Sequence, residues 1–239
     1  MDTVVTTSSP AAPANSSVAS AWHTAMVLAV VLGLSWIGSH TSLGGVSSAH
    51  GGAPVYLLTI TIEWLWAGLI WWGLRRRGLR ISDLVAGSWS RPMDFLRDLG
   101  IGIAFVLIFG GAVLQGLAYL LKAAPPTAMK AMMPRTRWEL MVWVLMSLTA
   151  GFCEELIFRG YLQRQFAAFA HSVAGGIVLQ GIAFGLGHGY QGWRLRTIIA
   201  VYGIAFGCLA QWRRSLRPGM LAHALQDTVG GFLARYTMH

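Results

Sequence analysis

Several ionisable side chains lie inside or at the ends of long apolar runs of this sequence, where their types and spacing could support acid–base chemistry. An ionisable group at the centre of a membrane helix costs about 2.5–3.5 kcal/mol on insertion scales, so each one needs a functional or structural reason. Carboxylates and imidazoles can activate water, transfer protons or hold a metal ion. The side chains in question are Glu63, Glu154, Glu155, His188, His223 and Asp227.

The segment Cys153–Arg159 places two adjacent carboxylates close to an arginine. Adjacent residues of a helix diverge by about 100°, so Glu154 and Glu155 cannot share one face. Glu155 and Arg159 are four residues apart with the glutamate on the N-terminal side, which predicts an ion pair. Glu154 is then free to face a cavity and to act in chemistry. The alternative is a solvated charge cluster at a helix end.

Two histidines lie on later apolar runs. His188 stands among glycines at 185, 187 and 189, which let a substrate or another backbone approach closely. His223 and Asp227 lie one helical turn apart, a spacing that suits two metal ligands or a carboxylate that orients an imidazole. The alternatives are a helix cap for His188 and an internal ion pair for His223 and Asp227. Together the three segments predict a water-activating site between helices, and Glu63, without an obvious partner, is left outside it.

The composition indicates a polytopic helical membrane protein. Only 11% of the 239 residues are charged and 55% are hydrophobic, whereas a soluble domain carries roughly 25% charged residues. This excludes a soluble globular enzyme, a disordered chain and a disulfide scaffold. The net charge of +9 lies in short loops, where it meets anionic lipid headgroups. No Walker loop or GxGxxG motif occurs, and nucleic acid is not an expected partner.

The apolar runs predict an all-α transmembrane bundle of about seven spans. Residues 1–20 are expected to form a disordered tail and residues 21–239 a single transmembrane domain, with the motifs in 138–235. A Gly/Ser/His-rich connector (38–54) and an irregular Pro-rich connection (124–134) separate spans. Two copies of Gly-Ile-Ala-Phe-Gly, at 181–185 and 203–207, predict close helix packing. The predicted spans are Trp22–Ile37, Val55–Leu74, Leu99–Leu121, Glu139–Gly160, Val173–Gly187, Thr197–Trp212 and Met220–Ala234.

The distribution of basic residues gives an orientation. With a cytoplasmic N-terminus, eleven Lys and Arg residues lie inside and seven outside, which favours that orientation under the positive-inside rule. Residues 161–171 are expected to form a separate interfacial helix with Arg164 on its polar side. The expected location is a bacterial inner (plasma) membrane, with the lipid bilayer as the surrounding partner.

The three polar segments resemble the CPBP family, the type II CAAX-prenyl-endopeptidase and bacteriocin-processing intramembrane proteases. Glu154, Glu155 and Arg159 match its EExxxR motif, Phe184 and His188 its FxxxH motif, and His223 with Asp227 its third motif. The resemblance implies an endopeptidase that cuts near the C-terminus of a membrane-associated protein or peptide, of which prenylated CAAX proteins are one class. It implies that Glu154 activates water with help from His188. It also implies that His223 and Asp227 bind the oxyanion or the water, while Glu155 and Arg159 maintain the site.

Asp227 departs from the family's eukaryotic CAAX enzymes, which carry asparagine there. An ionised aspartate cannot donate a hydrogen bond, so Asp227 must be protonated, orient His223 or bind a metal. No cofactor is predicted outright, because the candidate ligands suit zinc or another divalent ion while the single free carboxylate favours a metal-free glutamate mechanism. Two other functions stay open, namely a non-catalytic immunity or scaffold relative and a membrane protein that binds haem or quinone through His188 and His223. A proton-coupled transporter could also use buried carboxylates, but the sequence shows no clear inverted repeat.

Overall fold

The structure of the protein is a computed structural model that describes residues 17–41, 52–124, 130 and 132–237. Within these residues every regular element is a helix and there is no β-strand, which confirms the all-α prediction. The expectations for most of the tail (1–16), for much of the connector (42–51) and for Pro125 and Pro126 fall outside the described residues.

Eight helices, numbered here in chain order, make up the described part of the chain. Two of them contain a π-helical segment, Val106–Val113 in α4 and Glu155–Leu162 in α5. A short 3-10 turn, Gly189–Gln191, precedes α7. The helices are α1 Ala21–His40, α2 Ala53–Arg75, α3 Ile81–Val85, α4 Pro92–Leu120, α5 Arg137–Phe169, α6 Val173–Gly187, α7 Gly192–Arg213 and α8 Arg217–Thr237.

Five of these helices, α1, α2, α4, α5 and α7, are long and apolar enough to cross a membrane, so the chain is an integral membrane protein. The apolar helix α6 is shorter, and α8 has 21 residues but carries more polar side chains. These five helices together with α6 and α8 are compatible with the predicted number of about seven spans. In α5 56% of the apolar window is buried inside the protein, against 11% in α4. The helix that bears the carboxylate pair is therefore the centre of the bundle.

The prediction of a separate interfacial helix over 161–171 is wrong. Helix α5 runs without a break from Arg137 to Phe169. Gly160 does not end it, because the missing side chain instead leaves room for Leu84 and Leu216, which a Cβ atom there would meet at 3.4 and 3.0 Å. Gln163, Gln165 and Ala167 are buried, so this stretch packs inside the protein rather than lying on a membrane surface.

The last residues assigned to the tail are packed rather than disordered. Val18 and Ala19 are each only 2% exposed, and their N–H groups donate to Oε1 of Gln165 at 2.6 and 3.2 Å. The side-chain amide of Gln165 in turn donates to the carbonyl oxygen of Ala19. The polar composition of the tail concealed this contact, which depends on a glutamine 146 residues away in the sequence.

The two glycine-containing repeats pack against each other, as their pattern predicts. A Cβ atom on Gly203 would lie 3.0 Å from the Cα atom of Gly181, so α6 and α7 touch backbone to backbone at this point. The carbonyl oxygen of Gly203 accepts a hydrogen bond from Gln180 at 2.8 Å and one from Arg159 at 3.4 Å. The crossing thus helps to hold the arginine of the EExxxR motif.

Three basic segments meet at one end of the bundle. Arg164 donates to the carbonyl oxygens of Asp83 and Leu84 at 3.1 and 3.2 Å. Arg217 donates to the carbonyl oxygen of Ala86 at 3.0 Å, and Arg213 forms an ion pair with Asp98 at 3.2 Å. The basic segments that the positive-inside rule assigns to the cytoplasmic side are therefore neighbours in space.

Candidate active site

Four helices supply the polar residues in the interior of the bundle. Helix α5 carries Glu154, Glu155 and Arg159, and α8 carries His223 and Asp227. These two helices approach closely at Gly151, where a Cβ atom would lie 2.7 Å from the carbonyl oxygen of Met220 and 2.9 Å from the Cβ atom of Ala224. The close approach brings His223 to the carboxylate pair. His188 follows the end of α6, and Glu63 comes from α2.

Glu155 and Arg159 form the predicted ion pair. Nη1 of Arg159 lies 2.8 Å from Oε1 of Glu155, and the two side chains are 0% and 1% exposed. The guanidinium also lies over the rings of Phe184 and Phe206, 4.2 and 4.8 Å from their centroids. A buried ion pair needs good geometry and further contacts to offset the cost of burying two charges, and the two rings supply part of these contacts. Nε of Arg159 and Oε2 of Glu155 are buried without a hydrogen-bond partner in the described residues.

The two adjacent carboxylates reach opposite nitrogens of one imidazole. Nδ1 of His223 lies 3.0 Å from Oε1 of Glu155, and its Nε2 lies 3.7 Å from Oε2 of Glu154. A carboxylate accepts hydrogen bonds, so Nδ1–H donates to Glu155 and the other ring nitrogen faces Glu154. The two side chains diverge as expected from a helix, yet no spacing in the sequence indicates that they converge on the same histidine.

Exposure separates this site into two sides. The closed side consists of Glu155, Arg159 and Nδ1 of His223, and the Glu155 side chain is 1% exposed. The open side consists of Glu154, Asp227 and Nε2 of His223, where the two carboxylate side chains are 17% and 38% exposed. Oε2 of Glu154, the oxygen that faces Nε2, is itself buried and, like Oε2 of Glu155, has no hydrogen-bond partner in the described part of the chain. The exposed fractions of the Glu154 and Asp227 side chains let the open side meet water or a substrate, whereas the closed side is shut off from both.

Asp227 does not orient His223 through a direct hydrogen bond. Its Oδ2 lies 3.6 Å from Nε2, beyond hydrogen-bond distance, whereas Glu155 binds Nδ1 at 3.0 Å. The carbonyl oxygen of Asp227 accepts a hydrogen bond from Nε1 of Trp143 at 2.8 Å. The orienting role considered for Asp227 thus falls to Glu155, because the carboxylate on the neighbouring helix is the better placed of the two.

His188 lies next to these residues, separated by an aromatic ring. Its Nδ1 donates to the carbonyl oxygen of Phe184 at 2.8 Å, and the two rings meet edge to face with centroids 4.8 Å apart. The Phe184 ring lies 6.2 Å from that of His223. No hydrogen bond joins His188 to Glu154 among the described residues, although His188 and Asp227 interact electrostatically. His188 therefore borders the open side without direct contact to the candidate base.

The candidate metal ligands do not meet the requirements of a metal site. Among the described residues, no three side chains of the types His, Cys, Asp and Glu are arranged so that they could hold a metal ion. Nδ1 of His223 is engaged with Glu155, and His188 lies beyond Phe184. The set Glu154, His188, His223 and Asp227 does not form a ligand group in this arrangement, and no reaction step is assigned to a metal.

Two residues next to the site, Glu63 and Tyr202, were not predicted from the sequence to belong to it. Glu63 is 4% exposed and interacts electrostatically with Glu154, His223 and Asp227, and its Oε2 has no hydrogen-bond partner in the described residues. Its position in the middle of a span indicated a function, but nothing along α2 pointed to α5 and α8. The hydroxyl group of Tyr202 donates to Gln226 next to Asp227, and a tyrosine in an apolar run carries no such indication.

The comparisons with known proteins agree with the motifs. No curated protein and no solved structure matches the chain. One family model matches residues 136–229, and its description is type II CAAX prenyl endopeptidase, Rce1-like. This range contains the helices that carry Glu154, Glu155, Arg159, His188, His223 and Asp227. The resemblance to the CPBP proteases is thereby confirmed over residues 136–229, which match the Rce1-like model of type II CAAX prenyl endopeptidases.

Proposed function

We propose that this protein is an intramembrane endopeptidase in which Glu154 is the general base that activates the hydrolytic water. The family supports a CAAX-type intramembrane endopeptidase in general terms. The observation that carries the assignment to Glu154 is the difference in exposure between the two carboxylates, since the Glu155 side chain is paired with Arg159 and 1% exposed while the Glu154 side chain is 17% exposed. A base must be able to reach water, and only Glu154 of this pair can.

The closed side positions His223 for its part in the reaction. Glu155 accepts the hydrogen bond from Nδ1–H and so fixes the ring plane, and Nε2 is aimed between Glu154 and Asp227 at 3.7 and 3.6 Å. These distances exceed a direct hydrogen bond, so Nε2 stays available to a water or a substrate group that binds beside the two carboxylates. An imidazolium form would present Nε2–H as a donor to a developing oxyanion.

The reaction then proceeds in two proton-balanced steps. Glu154 takes a proton from water as the oxygen attacks the carbonyl carbon of the scissile peptide, and the negative charge that forms on the carbonyl oxygen is stabilised by Nε2–H of His223. Glu154 returns the proton to the leaving nitrogen as the C–N bond breaks, which yields an amine and a carboxylic acid, and the acid then loses its remaining proton to solvent. His188, at the edge of the open side, assists in placing the water.

Asp227 takes the role of holding the water. An ionised carboxylate only accepts hydrogen bonds, so it cannot replace an amide that donates to the oxyanion. It can accept a hydrogen bond from the water that Glu154 deprotonates, and its side chain is the most exposed of the carboxylates around His223. This assignment leaves oxyanion stabilisation to His223.

The proposed mechanism is of the glutamate type and uses no metal. It is supported by the single open carboxylate of the pair, because a metalloprotease needs a ligand set and a separate base. Purified protein treated with a strong chelator should keep its full activity on an identified substrate. Loss of activity with the chelator and recovery with added zinc would overturn this part of the proposal.

The cellular setting is proposed as follows. Residues 21–239 act as one transmembrane domain in a bacterial inner membrane, with a cytoplasmic N-terminus. The substrate is a membrane-associated protein or peptide cut near its C-terminus, and a prenylated CAAX protein is one candidate class. The basic segments that meet at one end of the bundle support the orientation, since such segments stay on the cytoplasmic side.

Two other functions receive less support. A protein that binds haem or quinone through His188 and His223 would need a free nitrogen on each histidine ring. Both ring nitrogens of His223 face carboxylates instead. A Soret band in the purified protein would favour that function. A non-catalytic scaffold would not need an open carboxylate beside an oriented imidazole.

The test is a comparison of protein termini in cells of the natural host that produce either the wild type or Glu154→Gln at equal levels. New termini that occur only with the wild type would establish the peptidase and identify its substrate. The Asp94→Asn variant, which removes a carboxylate at the exposed start of α4, should behave as the wild type. Identical termini for the wild type and Glu154→Gln, with both proteins folded, would contradict the proposal.

A further inference from the structure

A cavity with basic residues in a largely apolar lining lies at the basic end of the bundle, apart from the candidate active site. It has a volume of about 190 Å³ and lies between the start of α1 and the end of α2. Its walls combine aromatic and basic side chains with the first turn of a helix. The main lining residues are Ser20, Trp22, His23, Trp72, Arg76 and Arg77.

The cavity carries positive charge that the protein does not neutralise. Arg76 and Arg77 form no ion pair with any carboxylate in the part of the chain that the structure describes. Arg76 is held in place by Trp72, with its guanidinium 4.2 Å from the ring centroid. The cavity is therefore electrostatically suited to an anion.

The start of α1 adds hydrogen-bond donors to these arginines. Ser20 is the N-cap residue, yet its side chain accepts no capping hydrogen bond, and the first turn contains no acidic residue. The N–H groups of a first helical turn are unpaired within the helix and favour a negative ligand. They supplement the two arginines, which supply the full charges.

The aromatic walls place the cavity at a membrane surface. Trp22 and Trp72 meet edge to face with centroids 6.0 Å apart, and Trp22 is 55% exposed. Tryptophan favours the level of the lipid headgroups, where its apolar ring meets acyl chains. His23 closes the inner wall, because its ring nitrogens bind the hydroxyl group of Tyr161 at 2.6 Å and the carbonyl oxygen of Leu69 at 3.1 Å.

We propose that this cavity binds the phosphate group of an anionic phospholipid. Arg76, Arg77 and the N–H groups at the start of α1 bind the phosphate. The first part of an acyl chain, next to the headgroup, lies along Trp22. A lipid fits better than a free phosphate ion, because the exposed tryptophan extends the charged cavity into an apolar surface. The bound lipid would join the start of α1 to the end of α2, and this inference is independent of the peptidase activity.

The test is a titration of detergent-purified full-length protein with dioleoylphosphatidylglycerol or dioleoylphosphatidylcholine, followed by native mass spectrometry. The wild type should retain the anionic lipid preferentially. The double variant Arg76→Ala/Arg77→Ala should bind it about thirtyfold more weakly, since each arginine near a lipid surface contributes about 1 kcal/mol. Arg91→Ala/Arg97→Ala removes the same charge from the same end, outside the cavity, and should bind as the wild type does.

Three results would overturn the proposal. Equal retention of the two lipids by the wild type would show that charge is not recognised. Unchanged binding of phosphatidylglycerol by Arg76→Ala/Arg77→Ala would show that the lipid does not bind in this cavity. Stabilisation against heat by millimolar inorganic phosphate in phosphatidylcholine nanodiscs, equal to that given by phosphatidylglycerol, would identify a free anion as the ligand. Arg76→Lys/Arg77→Lys keeps the charge and serves as the folding control, with binding intermediate between the wild type and the alanine variant.

Discussion

The closed and open sides of the site use the same types of residue for different purposes. On the closed side, Glu155 shares one oxygen atom between Arg159 and Nδ1 of His223 at 2.8 and 3.0 Å. On the open side, Glu154 and Asp227 stand 3.7 and 3.6 Å from Nε2 without a direct hydrogen bond. Short contacts fix a geometry, and longer contacts beside solvent leave room for water and substrate. Two adjacent glutamates of one helix thus have different surroundings, one buried in an ion pair and the other partly exposed.

The largest expected effect comes from removing the positive charge of the closed side. Arg159→Met leaves Glu155 buried without its ion partner, which should lower the free energy of unfolding by about 3–5 kcal/mol. Chemical unfolding in detergent measures the loss. Arg159→Lys keeps the charge but not the planar guanidinium over Phe184, and it should fall between the methionine variant and the wild type. Equal stability of Arg159→Met and the wild type would contradict a structural role for the closed side.

Asp227 tests the open side. Asp227→Ala should lower kcat by about a hundredfold, because a residue that holds the attacking water is lost. Asp227→Asn should retain activity within about tenfold of the wild type, since an amide oxygen can still accept a hydrogen bond from water. The free energy of unfolding should change little in either variant. Full activity of Asp227→Ala would exclude Asp227 from the reaction.

Gly151 controls the approach of α8, and with it the contact between the two sides. A methyl group there would collide with the backbone of Met220, so Gly151→Ala should destabilise the protein by about 1–3 kcal/mol and lower activity by moving His223 away from Glu155. Gly116→Ala is the matched control, because a Cβ atom at that position meets nothing within 4 Å. Equal effects of the two substitutions on activity would show that the spacing of α5 and α8 is unimportant.

The smallest effect is expected at Glu63, which the structure places beside the open side. Glu63→Gln should lower kcat by about tenfold through its electrostatic interaction with Glu154 and His223, while KM changes little. The variant should also flatten one limb of the pH profile of kcat, which a purely structural role would not do. A variant with unchanged kcat and unchanged pH profile would leave Glu63 outside the site, where the sequence had placed it.

The sequence could predict contacts within one helix but not those between helices. The Glu155–Arg159 pair follows from a four-residue spacing, and α6 begins and ends at the predicted residues, Val173 and Gly187. The contact between Glu155 and His223 joins residues 68 positions apart, so it depends on how α5 and α8 pack. The π-helical segment that starts at Glu155 was likewise hidden, because spacing arguments assume a regular α-helix.

The most direct test of the division between the two sides is a parallel measurement on Glu154→Gln and Glu155→Gln. For each variant, peptide cleavage and the free energy of unfolding are measured on the same preparation. Glu154→Gln should lower cleavage by about a thousandfold or more while unfolding stays within about 1 kcal/mol of the wild type. Glu155→Gln should lower the free energy of unfolding by about 3 kcal/mol, because Arg159 is left buried without its partner. An active Glu154→Gln together with a stable but inactive Glu155→Gln would contradict the assignment and reverse the two roles.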